Sequence, residues 1–333
     1  MTMHSATHLA PAAFTRRAAL AAAAGLVFSP AAHAQGAWPQ RSIRLVVPFA
    51  AGGAADSAAR VLTPRMGERL GQGFVVENRT GAGGSLGGNE VARAADGHTF
   101  LWDASSHIVN PSLLRGLPFD YTTAFTPISL VVTFPSAVAV KNDFPARTLA
   151  EFVAAAKARP GTITVGTQGN ATAGHLGLVA FARAAGIEVI HVPYRGGAAA
   201  AQDLAAGAID AVFTTLVSAG PVVDGNRARF LAVGTLTRVE SRPDVPTIAE
   251  QGFAGFESNE WAGLFGPAGT PAPVVTAMYD ALAEAIAQPT LRQRLVQIGC
   301  VPVASRPAEF ARFVTEGRAA MATLVREANI RAE

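Results

Sequence analysis

A glycine-containing turn near the start of the chain has the residue types and spacing to bind an anion. The apolar run Ile43–Val47 predicts a buried strand, and a helical pattern follows from about Ala54 to Leu70. A strand, a glycine turn and a helix in succession direct several backbone N–H groups at one point, where the helix dipole adds about half a positive charge. A carboxylate suits this first turn (residues 49–56), although a tight connection without a ligand has the same pattern. Its candidate ligand-binding residues are Phe49, Ala51, Gly52 and Gly53.

Asp56 is an acidic residue beside the predicted anion site, in the first helical turn. Two roles are open for it. It either caps its own helix or receives an ammonium or hydroxyl group of the ligand. An amino-acid-type ligand would favour the second role, so Asp56 joins the candidate ligand-binding residues.

A second polar turn (residues 167–172) lies between a predicted strand, 163–166, and a predicted helix, 176–185. Hydroxyl and amide groups can hydrogen-bond a carboxylate without adding a buried charge. Two such turns, each opening one half of the chain, favour a ligand site over two ordinary connections. The candidate residues of the second turn are Thr167, Gln168, Asn170 and Thr172.

Polar residues also follow the third predicted strand, 99–103. In sheets of parallel strands, ligands bind beyond the carboxyl ends of the strands. Ser105 and His107 are placed either to reach such a ligand or to cap the next helix, and both alternatives stay open. Asp210, in the predicted strand 209–213, completes the candidate set.

The loop after the second strand contains two patterns that resemble catalytic or cofactor motifs. Residues 83–87 fit the G-x-S-x-G pattern of hydrolases, but the preceding strand ends near Glu77, too early to place Ser85 on a sharp strand–helix turn. Leu86 interrupts the dinucleotide fingerprint. We expect this loop to be a rigid turn that supports the first turn, and an enzyme that uses Ser85 or His107 is the weaker alternative.

Composition and the amino-terminal segment limit the possible functions. Residues 1–34 predict an export signal cleaved near Ala34, with Arg16 and Arg17 ahead of an alanine-rich apolar run; the Sec and twin-arginine routes stay open. Loss of these arginines lowers the formal net charge from +3 to +1, and no basic block suggests nucleic acid. The single cysteine, Cys300, excludes an internal disulfide framework and is expected to be buried. His107 has no partner at metal-ligand spacing, so we predict neither a metal nor a cofactor.

The order of the predicted elements indicates an α/β fold with two lobes and a cleft between them. Each lobe is expected to be a mostly parallel sheet flanked by helices, and two crossover strands join them. Lobe 1 comprises residues 35–134 and 259–333, and lobe 2 comprises residues 135–258. Phe134, at the first crossing, either faces the cleft or lies in the core. We expect a monomer.

Several separated blocks along the mature chain are similar to one known family. They are VPFAAGGAAD (47–56), VENRTGAGG (76–84), SH (106–107), NP (110–111), HVPYRG (191–196), RPDVPT (242–247), EW (260–261) and TPAP (270–273). In order and spacing they resemble the Bug family, the periplasmic solute receptors of tripartite tricarboxylate transporters. The resemblance runs from about Trp38 to the carboxyl terminus.

The resemblance implies a two-lobe, periplasmic-binding-protein-like (type II-like) α/β fold. It also implies a periplasmic receptor that closes its lobes on a small carboxylated solute and delivers it to membrane transporter subunits. In the family, one solute carboxyl group lies between the two turns, which here are residues 49–56 and 167–172. This chain has Ala50 where the family often has proline, and its second turn is richer in threonine and amide side chains than is usual. Dicarboxylates, aromatic acids and acidic amino acids are the expected solutes. A receptor that signals through a membrane partner is the other alternative.

Overall fold

The fold is a mixed α/β arrangement in which helices flank one curled sheet. The structure is a computed structural model and describes residues 1–2 and 38–327. Its strands are β1 (Ile43–Val47), β2 (Phe74–Asn78), β3 (Thr99–Ala104), β4 (Phe125–Lys141), β5 (Thr164–Thr167), β6 (Ile190–Pro193), β7 (Ala211–Thr215), β8 (Ala228–Val233), β9 (Asn259–Pro267) and β10 (Val301–Pro302).

The helices follow the strands in the alternation that the sequence predicts for an α/β fold. They are α1 (Ala54–Leu70), α2 (Ser85–Ala92), α3 (Ser106–Leu113), α4 (Leu149–Ala158), α5 (Ala173–Ala185), α6 (Gly197–Ala206), α7 (Leu216–Asp224), α8 (Ala272–Ala287), α9 (Pro289–Gln297) and α10 (Pro307–Glu327). A short 3-10 turn, Ala82–Gly84, precedes α2. Among the described residues, no helix combines the length and the apolar character needed to cross a membrane.

Each half of the sheet contains three parallel strands with the earliest of them in the centre. In the first half, β1 pairs with β2 on one side and β3 on the other. In the second half, β5 pairs with β6 and β7 in the same way. Each central strand therefore ends at one of the two polar turns, β1 at the first and β5 at the second. The predicted α/β fold class is confirmed.

The long strand β4 connects the two halves of the sheet. It pairs with β9 up to Pro135 and with β7 from Ser136 onward, so the partner changes at the proline, which has no N–H to donate. The apolar runs 128–132 and 137–140 predict two separate strands here. That prediction is wrong, because the ladder continues through Pro135. The chain returns beside this point, where Ser136 N–H donates to the Ser258 carbonyl at 3.3 Å. The lobe boundaries at 134/135 and 258/259 stay a prediction.

Two main apolar clusters fill the space between the sheet and its helices. One contains Val138, Phe152 and Phe213 in the second half, and the other contains Trp261, Phe265 and Phe310 in the first. Leu176 of α5 packs into the cluster of the first half, so the helix that follows the second turn contacts both halves.

The burial of individual side chains and the helix caps test several sequence predictions. Phe134 is fully buried, which selects the core alternative over a cleft wall. Cys300 is buried as expected, and burial raises the pKa of its thiol to about 12. The sequence predicts Thr148 as an N-cap, and it caps α4; the structure adds a capping box with Glu151.

Three short helices are absent from the sequence predictions. They are α3, α7 and α9, and each contains or begins with a proline: Pro111, Pro221 and Pro289. A proline normally ends a helix because it lacks the N–H and crowds the preceding turn. In helices of eight or nine residues it removes little internal hydrogen bonding, so tertiary packing maintains them.

Candidate functional site

The first turn is organised by a buried carboxylate, Asp56. Its oxygens accept hydrogen bonds from Gly52 N–H at 2.9 Å, from Asn78 Nδ2 at 2.9 Å and from Arg60 Nε at 3.0 Å. Asn78 Nδ2 also donates to the Phe49 carbonyl at 3.0 Å, which fixes the entry to the turn. Burial alone would raise the pKa of Asp56, but the bonds from Arg60, Gly52 and Asn78 lower it overall. The carboxylate is therefore ionised and fully engaged within the protein, as a structural role requires.

Two of the N–H groups that we expected to be available to a ligand are used inside the first turn. Gly52 N–H donates to Asp56, and Gly53 N–H donates to the Ala50 carbonyl at 3.2 Å. Gly52 has φ of +76°, a conformation that glycine adopts without strain. The expectation of free Gly52 and Gly53 N–H groups is thus wrong. The first residues of α1, from Ala54, are the ones whose N–H groups lack acceptors within a helix.

The glycine-rich segment 81–88, which comprises the loop before α2 and the start of that helix, supports the first turn from behind, as the sequence predicts. An added Cβ at Gly87 would lie 2.9 Å from Pro48 Cβ and 3.1 Å from the Arg79 carbonyl. An added Cβ at Gly84 would lie 3.4 Å from Pro48 Cβ and 3.3 Å from Ser106 Oγ. Only glycine lets the loop approach the turn and the start of α3 so closely. Ser85 itself is buried inside this packing.

The second turn is organised by hydroxyl groups. Thr167 Oγ1 lies 2.8 Å from His191 Nε2 and donates to the Gly169 carbonyl at 3.2 Å, and Thr172 Oγ1 donates to the same carbonyl at 2.8 Å. Thr172 also accepts from His175 N–H at 3.4 Å and caps α5. Thr167 is fully buried, whereas Gln168, Asn170 and Thr172 are partly exposed. Thr167 therefore shapes the turn from inside, and the other three lie nearer its surface.

Two stacked imidazole rings lie beneath the second turn. The rings of His175 and His191 are 4.0 Å apart and nearly parallel. Burial, together with the neighbouring His175, lowers the pKa of His191 to about 4. His191 is thus neutral near pH 7.

A contact through Glu260 links the two halves of the site. Glu260, the second residue of strand β9, accepts a hydrogen bond from Ser105 N–H at 2.9 Å and faces Gln168 Nε2 at 3.4 Å. Ser105 follows β3 in the first half, and Gln168 belongs to the second turn. An added Cβ at Gly84 would meet both Pro48, next to the first turn, and Ser106, next to Ser105. The first turn therefore lies close to the group that Ser105, Glu260 and Gln168 form.

Glu260 was not among the residues that the sequence predicts for the site. It lies in the EW block (260–261) of the family resemblance. The available signal was an acidic residue at the start of an apolar strand, at the point where the chain returns between the halves. Such a position places a carboxylate beside the predicted cleft.

His107 lies in the core. Its ring is fully buried and stacks on Phe265 at 3.9 Å, its Nδ1 lies 3.0 Å from Asp103 Oδ2, and its Nε2 lies 3.2 Å from an Arg318 nitrogen. Burial lowers the pKa of His107, and because arginine can only donate, the neutral ring donates from Nδ1 and accepts at Nε2. Both nitrogens have partners, so the prediction of His107 as a ligand contact is corrected. The ring connects α3 to α10.

Asp210 lies at the amino ends of the parallel strands, whereas the second turn lies at their carboxyl ends. Its carboxylate accepts from Thr164 N–H at 3.0 Å and pairs with Lys141 Nζ at 2.9 Å. Thr164 begins β5 and Thr167 ends it, about 10 Å away at the usual rise per residue of a strand. The prediction of Asp210 as a ligand contact is corrected, because it lies at the amino ends of the parallel strands. Within the part of the chain that the structure describes, no three His, Cys, Asp or Glu side chains group to hold a metal ion.

Comparison with known proteins identifies the family of the chain. The model of the tripartite tricarboxylate transporter family receptor, TctC, matches residues 58–330. The UPF0065 protein in the tcbD-tcbE intergenic region of Pseudomonas sp. (strain P51) is 37% identical over 309 residues, which cover 92% of each chain.

Two solved structures share the fold. The periplasmic binding protein BugD matches with a TM-score of 0.82 and 33% identity, covering 89% of this chain and 100% of BugD. R. palustris Rpa4515, solved with adipate, matches with a TM-score of 0.84 and 32% identity, covering 88% of this chain and 99% of that protein. The chain therefore belongs to the tripartite tricarboxylate transporter receptor family, a family of periplasmic solute-binding receptors and not of enzymes. The resemblance inferred from the sequence is confirmed.

Proposed function

We propose that this chain is the receptor that captures a small carboxylate between its two polar turns and delivers it to the membrane subunits of a tripartite transporter. The observation that carries the proposal is the contact through Glu260 between Ser105 and Gln168, since it brings the end of β3 and the second turn to one place. Family membership supports the same function, and a relative of the same fold was solved with adipate, a dicarboxylate.

The solute carboxyl group is proposed to bind at the amino-terminal end of α1, between residues 49–56 and 167–172. The helix dipole and the unshared N–H groups at the start of a helix attract an anion. The second turn contributes Gln168, Asn170 and Thr172, which are partly exposed and uncharged. Asp56 acts behind this surface, since its three hydrogen bonds fix the turn.

Closure of the two halves is proposed to follow the predicted boundaries, with residues 135–258 moving against 35–134 and 259–333. The strand β4 and the return at Ser258 are the two covalent connections between those parts. Two adjacent connections of this kind permit hinge closure around a ligand. We propose a monomer, exported after cleavage near Ala34, which lies outside the described residues.

A thermal-shift screen of the chain beginning at Gln35 tests this function. The panel contains C4–C6 dicarboxylates, citrate, acidic amino acids and aromatic mono- and dicarboxylates. A ligand at a hundredfold excess over its Kd stabilises the folded state by about 2.7 kcal/mol, which shifts Tm by several degrees. A shift with one class supports the proposal. No shift with any carboxylate, after denaturation and refolding to remove bound ligand, contradicts it.

A glycine variant tests the location of the site. An added Cβ at Gly53 would lie 3.1 Å from the Ala50 carbonyl, so Gly53→Val crowds the turn where the solute is proposed to approach. We expect at least a tenfold weaker affinity with the fold retained. Gly73→Val is the matched control, because no atom lies within 4 Å of its added Cβ and it is in the same half. Equal affinity in the Gly53 and Gly73 variants would place the ligand elsewhere.

A further inference from the structure

A carboxylate without a cationic partner lies between the two halves of the proposed site. Glu260 is reached by the N–H and hydroxyl of Ser105, the amide of Gln168 and its own neighbour's N–H at Trp261, all of them uncharged. No residue that the structure describes forms an ion pair with Glu260. Asp56 differs, because the Arg60 guanidinium lies 3.0 Å from its carboxylate.

The hydrogen bonds of Glu260 do not replace a counter-charge. Burial raises the pKa of the Glu260 carboxyl, and the bonds from Ser105 and Gln168 offset only part of that effect. The carboxylate is thus held in an environment that disfavours its charge. A group that brings a positive charge to it would gain free energy, and a second carboxylate at the same place would be repelled.

Gln168 is held in an orientation that keeps its amide nitrogen toward Glu260. Its side chain folds across the start of α5, where an added Cβ at Gly174 would lie 2.1 Å from Oε1. Gln168 Oε1 is buried there without a hydrogen-bond partner among the described residues. Gln168 therefore leaves its Oε1 without a hydrogen bond while its Nε2 faces the Glu260 carboxylate. This arrangement indicates that packing around Gly174 fixes the amide relative to Glu260.

We propose that Glu260 binds a protonated amine of the solute, so that this receptor selects a zwitterion with its carboxylate at the two turns and its ammonium at Glu260. The inference rests on the proposed function and names the substrate class of the same site. The ammonium provides three N–H donors and the missing positive charge. Asp56, the other acidic residue for which the sequence allows an ammonium contact, already accepts hydrogen bonds from Gly52, Asn78 and Arg60.

Matched ligand pairs test the proposal directly. Isothermal titration compares succinate with aspartate, glutarate with glutamate, and butyrate with 4-aminobutyrate, which differ only by the amino group. We expect at least one amine-bearing member to bind at least tenfold more tightly than its amine-free partner. Preference for the amine-free member in every pair, or equal binding, would overturn the inference while leaving carboxylate capture intact. If no compound of any pair or of the wider panel bound, the proposed function itself would fail.

The variant Glu260→Gln assigns the preference to this side chain. It keeps the shape and an acceptor for Ser105 N–H but removes the charge, so we expect the preference for the amine-bearing member to fall at least fivefold. Glu257→Gln is the matched control, since Glu257 is an exposed carboxylate three residues away. Glu260→Asp keeps the charge and should keep the direction of the preference, which covers the case in which Glu260→Gln does not fold. An unchanged preference in Glu260→Gln, or a lost one in Glu257→Gln, would contradict the assignment.

Discussion

The two polar turns occupy equivalent places in the two halves of the sheet but are stabilised by different chemistry. Each follows the central strand of a parallel group, β1 or β5, and each leads into a helix. The first turn is held by an ionised, buried aspartate with three donors. The second is held by threonine hydroxyls above two stacked histidine rings.

The difference indicates a division of roles. A turn fixed by a saturated carboxylate keeps its backbone rigid and has no acidic group left for a ligand. A turn fixed by hydroxyl groups leaves uncharged polar side chains at its surface, and one of them, Gln168, extends toward Glu260. We therefore expect the first turn to supply the common carboxylate contact, and the second turn with Glu260 to determine which solute is accepted.

The largest effect is expected from breaking the first turn. Asp56→Ala leaves Gly52 N–H and the Asn78 amide without their acceptor and should lower the free energy of unfolding by about 3 kcal/mol. Urea denaturation measures this loss. The matched control is Asp224→Ala, which removes a surface pair with Arg242 and should change stability by less than about 1 kcal/mol. A loss of stability in Asp224→Ala as large as that in Asp56→Ala would contradict the dominant role of Asp56 in the first turn.

A smaller loss is expected from the second turn, because its bonds are uncharged. Thr167→Val keeps the shape but removes the hydroxyl that bonds the Gly169 carbonyl and His191, and should lower the free energy of unfolding by about 1–2 kcal/mol. Thr315→Val on the exposed face of α10 is the control and should change it by less than about 0.5 kcal/mol. A loss for Thr167→Val that equals the loss for Asp56→Ala would show that both turns depend on one dominant residue.

A variant at Gly174 tests ligand binding independently of stability. Gly174→Ala favours the helix by up to about 1 kcal/mol but forces Gln168 away from its position, so ligand affinity should fall several-fold while stability changes little. Gly220→Ala, also within a helix, has only Arg242 near its added Cβ, at 3.7 Å, and should leave affinity unchanged. Unaltered affinity in Gly174→Ala, measured by titration with the best ligand, would argue against a role for Gln168.

The smallest effect on stability is expected at Glu260 and depends on pH. Because folding raises the pKa of this carboxyl, its protonated form favours the folded state, and the benefit is lost as pH rises through the folded pKa. Ligand-free Glu260→Gln should therefore be more stable than the parent chain at pH 8 and no more stable at pH 4. Thermal unfolding across this range checks the sign. A variant that is less stable at pH 8 would mean that the Glu260 charge supports the fold.

The sequence predicts the scaffold of the site better than its contacts. The pattern of apolar residues, glycine turns and caps predicts α1, the N-cap Thr148 and both polar turns, because local backbone chemistry decides these features. It did not show that Gly52 and Gly53 use their N–H groups internally, since that depends on Asp56 folding back onto the turn.

The errors in the predicted site have a common physical origin. The residue types of His107 and Asp210 suit a ligand contact, but their partners Arg318 and Lys141 are distant in sequence and meet them only in the folded chain. Glu260 was missed for the same reason, because Ser105 and Gln168 approach it from two different halves. Contacts between residues far apart along the chain are set by tertiary packing, which a single sequence does not reveal.

A crystal structure of the chain from Gln35 with the ligand that gives the largest thermal shift tests the central claim most directly. The account predicts one solute carboxylate within hydrogen-bond distance of the backbone N–H groups at the start of α1, with the second turn on its other side. It also predicts the remaining polar end of the solute at Glu260. A ligand bound away from residues 49–56 and 167–172 would contradict the account.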